Sequence, residues 1–323
     1  MKPLRALAAF GLLVLSLAAF GQASYPNKPV RIIVPFAAGG VADLLPRIVG
    51  EKLSQKWGQP VVVENKPGAS GNIGMEIGVR AEPDGYTLVL APTGNLTVNP
   101  TLFPKLPFDT HKDFTPITII AASQNVLVVH PSVPAKTLKE LIDYAKANPG
   151  KLNFASPGEG SGAHLAGELL NIEAGIKTVH VPYKGLAPAV TDLLAGNVQM
   201  MFAGISTVIA HTKAARLVPI AIASPMRSRQ MASVPTVHEA GVPDFDVTSW
   251  YGLVVRAGTP MHIVRKIQLD VRDVLATEEV RDKLNEMGLH TMGNRPEDFA
   301  RLIENETRKW AEIVRKANIQ PQS

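Results

Sequence analysis

The sequence predicts an α/β fold in two lobes, each a mainly parallel sheet flanked by helices, joined by a hinge of two chain crossovers. Three observations carry this. After a leader-like start the chain runs on to residue 323, roughly twice the length of a single typical core. Strand-like and helix-like runs alternate in two successive series, the pattern of parallel sheets with right-handed crossover helices. A closing block of helical runs has no sheet of its own, while the first series has too few helices to cover both faces of its sheet.

The first series reads as strand 30–34, helix 42–56, strand 61–64, helix 70–80 and strand 86–90, a βαβαβ unit. Residues 92–116 carry five prolines and read as a long irregular connection. The second series opens with a strand at 126–129. Thr137 and Glu140 stand at capping-box spacing before a helix that stops at Asn148-Pro149-Gly150. Strand 152–155, helix 163–173, strand 178–181, helix 187–195, strand 199–203, helix 207–214 and strand 218–223 follow. A strand at 247–255, holding Trp250 and Tyr251, precedes helices at 261–276, 278–287 and 296–317. Returning that last block to the first sheet assigns residues 24–123 and 246–323 to lobe 1 and residues 124–245 to lobe 2. The chain then crosses between lobes near 121–125 and near 244–248, and paired crossovers make a hinge.

The N-terminus speaks to compartment. Lys2 and Arg5 precede an uncharged apolar run from Ala6 to Phe20, and Gly21-Gln22-Ala23 offers small residues where a signal peptidase reads. The expectation is a secretory signal peptide over residues 1–23, since the run is shorter than the ~20 residues a spanning helix needs. With no cysteine, the chain has no disulfide framework, no thiolate nucleophile and no lipid-accepting residue after the leader. A secreted, untethered protein of this kind belongs in a periplasm. The formal charge is +5, two units of it from Lys2 and Arg5, and the scattered cations give no nucleic-acid signal.

Function is written in two glycine-rich loops, PFAAGGVAD from Pro35 to Asp43 and SPGEGSGAHL from Ser156 to Leu165. Each follows a short apolar run and opens a helix, so each aims unpaired backbone N–H groups and a positive helix end at what lies in front. Either loop alone also reads as a plain strand-to-helix turn. Two on facing lobes form a clamp for a small molecule with carboxylates. Gly158, Gly160 and Gly162 do not have dinucleotide-fold spacing, and neither loop ends as a P-loop does.

Blocks spread over nearly the whole mature length resemble the tripartite tricarboxylate transporter solute-binding proteins, also called the Bug receptors. They are YPNKPVRIIVPFAAGG, VVVENKPGASGNIG, PDGYTLVL, FDTHKDFTPIT, NFASPGEGSGAHLAGELL, VPYKGLAPAVTDLLAG and PTVHEAGVPDF. The resemblance implies a two-lobed periplasmic-binding-protein fold. It implies a receptor that closes on an organic acid and delivers it to large and small membrane subunits, working as a monomer without a cofactor. It points to ligand contacts at Phe36, Ala38, Gly39, Val41 and Asp43, at Ser70 and Asn72, and at Ser156, Glu159, Gly160, Ser161 and His164. Thr93 and Gly204, at the ends of two further strands, complete the set. Where many members carry proline or glycine at positions 37 and 38 and a hydroxyl at 42, this chain has Ala37, Ala38 and Ala42, which bears on ligand identity.

Several readings stay open from sequence. Asp43 holds a water or amine at the ligand, or caps its helix. His164 donates to a carboxylate or is structural, Phe36 stacks on cargo or is partly buried, and Trp250 packs at the hinge. A hydrolase built on Ser161, His164 and Asp192 lacks the Gly-x-Ser-x-Gly elbow. The 8 histidines show no metal-ligand spacing. A receptor that signals to a membrane sensor kinase would share this fold and cleft. A dicarboxylate, a hydroxy acid, an acidic amino acid and an aromatic acid all satisfy two anion cradles.

Overall fold

The structure, a computed structural model, describes residues 25–103, 105–243 and 245–320. The expected leader and its cleavage point lie outside the described residues.

The chain begins with β1 (Val30–Val34), α1 (Val41–Trp57), β2 (Val61–Asn65), α2 (Asn72–Val79) and β3 (Thr87–Pro92). All four apolar side chains of β1 that face a layer, Val30, Ile32, Ile33 and Val34, are fully buried. The two-residue repeat sends Val30, Ile32 and Val34 to one core and Ile33 to the other, so both sheet faces are covered. That is why the strand reads as a continuous apolar run, and each such side chain contributes about 1.5–3 kcal/mol.

Residues 92–116, expected to be irregular, contain a π-helical turn at Gly94–Val98 and α3 (Asn99–Leu102), and the strand β4 (Phe114–Ser123) starts before they end. Pro116 obscured this strand. It sits at a register shift against its neighbour, beyond the three residues where the other edge is paired, so its missing N–H costs no ladder bond. The chain then enters β5 (Asn125–Val129) after a single linking residue, Gln124.

The second series follows as α4 (Leu138–Ala147), β6 (Asn153–Ser156), α5 (Gly162–Ala174), β7 (Val179–Pro182), α6 (Leu186–Ala195), β8 (Met200–Gly204), α7 (Ile205–Lys213) and β9 (Val218–Ile222). The expected capping box opens α4: Glu140 N–H donates to Thr137 Oγ1 and Thr137 N–H to Glu140 Oε2, each at 3.2 Å. The chain returns through β10 (Ser249–Arg256), α8 (Met261–Leu275), α9 (Glu278–Glu286), β11 (Leu289–Thr291) and α10 (Pro296–Lys316).

Two sheets result, ordered β11-β4-β10-β3-β1-β2 and β7-β6-β8-β5-β9. They are mixed rather than mainly parallel. Pairings among β1, β2 and β3 and among β6, β7 and β8 are parallel, whereas β10 runs against β3 and β4, β11 against β4, and β5 against β8 and β9. The cause is the hinge. A strand that enters a sheet from a crossover, as β5 and β10 do, must run opposite to strands that end at that edge.

The last helix departs from a purely first-lobe assignment. Phe299 and Ile303 pack into a first-sheet core, but Trp310, Ile313 and Val314 join the core of the second. At 1.5 Å per residue its 21 residues span about 30 Å, enough to reach across the crossovers.

Candidate ligand-binding cleft

Strand direction fixes where the loops go. In the first sheet β1, β2 and β3 all end at the edge where β4 ends and β10 begins, since Ser249 pairs with Ser123 and Tyr251 with Pro92. In the second, β6, β7 and β8 end where β5 begins, since Asn125 pairs with Gly204. Both edges therefore carry the crossovers. The loops holding Phe36–Asp43, Ser70–Asn72 and Thr93 thus face those holding Ser156–His164 and Gly204. A Cβ added at Gly162 would lie 3.9 Å from Ser249 Oγ, so the start of α5 already touches the start of β10.

The two crossovers are tied to each other. Asn125 Nδ2 donates to Val247 O at 2.8 Å, and Lys309 of α10 donates to Asp246 O at 2.6 Å. Trp250 packs here as expected: it is buried, edge-on to Phe299, with Nε1 donating to Glu306 Oε2 at 3.0 Å. Thr93 serves this junction, its hydroxyl accepting from Trp250 N–H at 2.8 Å and donating to Trp250 O at 3.2 Å.

In the first loop Ala38 and Gly39 are exposed and Phe36 and Val41 half-buried. Asp43 is not at the surface. Its side chain is buried and accepts from Gly39 N–H (2.9 Å), Arg47 Nε (2.8 Å) and Asn65 Nδ2 (2.9 Å). The Arg47 guanidinium, with Gly39 and Asn65, holds the carboxyl down at about 2 against the cost of burial. Gly39 itself has φ +97°, which a side chain would resist. Asp43 therefore bonds the loop's own backbone together with Arg47 and Asn65.

In the NKPGASGN loop Ser70 is exposed, while Asn72 is buried and its Oδ1 accepts from Asn99 Nδ2 at 2.7 Å. Ser70 O accepts from Asn95 Nδ2 at 2.9 Å. Asn95 and Asn99 come from the segment expected to be irregular, so sequence reading passed over them.

Across the cleft Glu159 is exposed, and Gly160, Ser161 and Gly204 are half-buried. Ser156 is fully buried, its hydroxyl donating to Gly158 O (2.9 Å) and lying 2.6 Å from His180 Nε2. His164 is buried too. Its Nδ1 accepts from Gly160 N–H at 3.0 Å, and its ring stacks on His180 with centroids 3.7 Å apart. Ser156 and His164, expected at the ligand, both bond the backbone of their own loop from beneath. Burial lowers each histidine to about 4, so both are neutral near pH 7. The conceivable Ser161–His164–Asp192 set is not assembled: Ser161 Oγ donates to Gly158 O at 2.7 Å and Asp192 accepts from Tyr183 OH at 2.7 Å.

Three helices that open from these loops, α1, α2 and α7, carry no side-chain cap. The first amide of α7, Ile205 N–H, donates to Gln124 O at 3.2 Å, so α1 and α2 are the two whose starts open from the first-lobe loops. A cavity of about 470 Å³ lies between the lobes as well, but on the side of β11 and the segment after β9, lined by Gln124, Arg229, Gln230 and His290 among others. It includes none of the sequence-predicted site residues.

The family model for the tripartite tricarboxylate transporter family receptor matches residues 45–319. The chain belongs to this receptor family. Among its relatives, the protein BugT of Bordetella pertussis is 33% identical over 320 residues, covering 98% of each chain. Among solved structures, a Rhodopseudomonas palustris protein with adipate superposes at a TM-score of 0.78 with 32% identity, over 92% of this chain and all of its own. The MatC protein of Rhodopseudomonas palustris with bound malate gives 0.73 and 32%, over 90% of this chain and all of its own. The two-lobed binding-protein fold is therefore shared, and receptors of this family are periplasmic solute-binding proteins rather than enzymes. Among the described residues of this member, no helix is long and apolar enough to cross a membrane.

Proposed function

We propose that this receptor captures a small organic acid between the loops of its two lobes and hands it to the large and small membrane subunits of a tripartite tricarboxylate-type transporter. The observation that carries the reading is the pair of helix starts without a side-chain cap at Val41 and Asn72, which open from first-lobe loops facing the glycine loop of the second lobe. With Gly39 N–H held by Asp43, Gly160 N–H by His164 and Ser70 O by Asn95, the loops are fixed, and their neighbouring backbone amides grip a carboxylate at little ordering cost. Adipate and malate in the related structures make a dicarboxylate of four to six carbons the favoured class.

In this reading Ala38, Gly39, Val41, Ser70, Glu159, Gly160, Ser161 and Gly204 border the ligand, with Phe36 against its carbon chain. Asp43, Asn72, Thr93, Ser156 and His164 shape the loops. The leader is cleaved after Ala23 or nearby, and the mature protein works as an untethered monomer in the periplasm, hinged at residues 121–125 and 244–248. Uptake of labelled dicarboxylates by cells with and without the gene tests it. Deletion should abolish uptake of one acid, restored by the gene only when both membrane subunits are present. Unchanged uptake of every acid that the purified protein binds would refute delivery.

A further inference from the structure

The two cradle loops are built by one device. Gly39, at φ +97°, donates its N–H to Asp43, and Gly160, at φ +71°, donates its N–H to His164. In both cases the acceptor stands four residues after the glycine and third in the helix that follows, α1 or α5. A positive-φ glycine has no preferred orientation of its own, so the returning side chain is what sets the amide plane. The two acceptors differ in kind. A carboxylate accepts at any pH above its low titration point, whereas an imidazole Nδ1 accepts only while it carries no proton.

We propose that neutral His164 is the positioning residue of the second cradle, and that protonating it releases Gly160 and opens that loop while Asp43 keeps the first loop shaped. This rests on the second loop holding part of the ligand. The consequence is a clamp that lets go in acid from one side first.

The groups facing His164 are consistent with such a trigger. His180 of β7 lies flat on it at an interplanar angle of 6°, and Phe154 of β6 completes the stack. A proton on either imidazole disfavours one on its neighbour. Glu168, one turn further along α5, has Oε1 3.8 Å from His164 Nε2; because Nδ1 accepts from Gly160 N–H, the neutral ring carries its hydrogen on Nε2. Glu159 belongs to the loop itself. Burial holds both rings neutral at pH 7 and holds the Glu168 carboxyl up. Because His180 also lies 2.6 Å from Ser156 Oγ, which bonds Gly158 on both its N–H and its C=O, charging the stack disturbs the loop at a second point.

The test uses the mature chain and two variants. Asparagine places an amide oxygen near the position of Nδ1 and does not titrate, so His164→Asn should keep the bond to Gly160, while His164→Ala should lose it. Nitrogen-15 NMR without ligand is the first arm. In the wild type the Gly160 amide should move as His164 titrates between pH 7 and 4 while the Gly39 amide stays still; in His164→Asn neither should move. The second arm is calorimetry with adipate as probe, whose own protonation is common to both proteins. Wild-type affinity should fall about twofold more than that of His164→Asn from pH 7 to pH 4, where His164 is half protonated, and His164→Ala should bind weakly at both.

A Gly160 amide indifferent to His164 titration, or matching pH profiles for the wild type and His164→Asn, would overturn the assignment. Failure of the wild type to bind adipate counts against the proposed ligand class alone, because the NMR arm still decides the role of His164.

Discussion

Replacing Gly160 by valine isolates what the backbone of the second loop contributes. Gly160 sits at φ +71°, a region that costs an L-residue about 1–2 kcal/mol, and more for a β-branched one. If the loop flips to escape the strain, it forfeits the 3.0 Å bond from Gly160 N–H to His164, worth about 0.5–1.5 kcal/mol. The empty loop is free to relax, so this cost returns when ligand demands the original shape. The penalty on binding is the strain less the bond that the relaxed empty loop has already given up, about 1–2 kcal/mol for a β-branched residue, or roughly 5- to 30-fold weaker binding. Ser161→Ala makes the contrast. It removes a 2.7 Å bond to Gly158 O and a long cap contact to His164 N–H at 3.4 Å, but leaves the Ser161 amide in place. Its cost of about 1 kcal/mol should fall on stability, with affinity held within about fivefold. Isothermal titration of both variants with the same acid, and circular dichroism to exclude misfolding, decides the matter. Small and equal losses would show that the loop is an ordinary strand-to-helix turn and that the cradle reasoning is wrong.

Two further outcomes are expected. Solution scattering should give a smaller radius of gyration for the saturated protein than for the empty one, because two crossovers and one bridging helix leave the lobes able to rotate; demonstrated binding with an unchanged radius would mean a preformed cleft. Glu306, buried beside Trp250, is pushed up by that burial to about 7. The folded state thus holds a proton that the unfolded chain releases near 4.5, so this group's stabilisation is complete below pH 4.5 and is lost as pH rises through 7. Glu306→Gln keeps an acceptor for Trp250 Nε1 and should raise Tm relative to wild type at pH 8, by the equivalent of up to about 3 kcal/mol, with little gain at pH 5. An equal difference at both pH values would contradict the buried, protonated carboxyl.

Much of the fold was legible because apolar periodicity and caps are local. The boundaries of β1, α1, α4 and α8 follow from runs that are fully apolar or cleanly amphipathic, and the Thr137–Glu140 box marked its helix start to the residue. What sequence reading missed depends on partners far along the chain. Pro116 discourages a strand until the register shift in β10 removes the need for its N–H. β11 has three residues and forms only because β4 offers an open edge. The site divides in the same way. Glycine loops announce themselves, but whether the acceptor four residues on meets ligand or loop is decided by Asn65, Arg47 and His180, whose positions follow from tertiary packing. Asp43 and His164 stand third in their helices, and packing turns both side chains back onto the glycine four residues earlier.

Capture of a small carboxylate between facing backbone cradles can be measured directly. The most direct measurement is a thermal-shift screen of the mature protein across dicarboxylates, hydroxy acids, acidic amino acids and aromatic acids, each recovered afterwards for mass analysis. At a hundredfold excess over Kd a true ligand stabilises by about 2.7 kcal/mol, a shift of several degrees. Such a shift is expected for at least one dicarboxylate, reduced in Gly160→Val, with the acid recovered unchanged. No shift with any carboxylate, or a full shift that survives Gly160→Val, would contradict such capture.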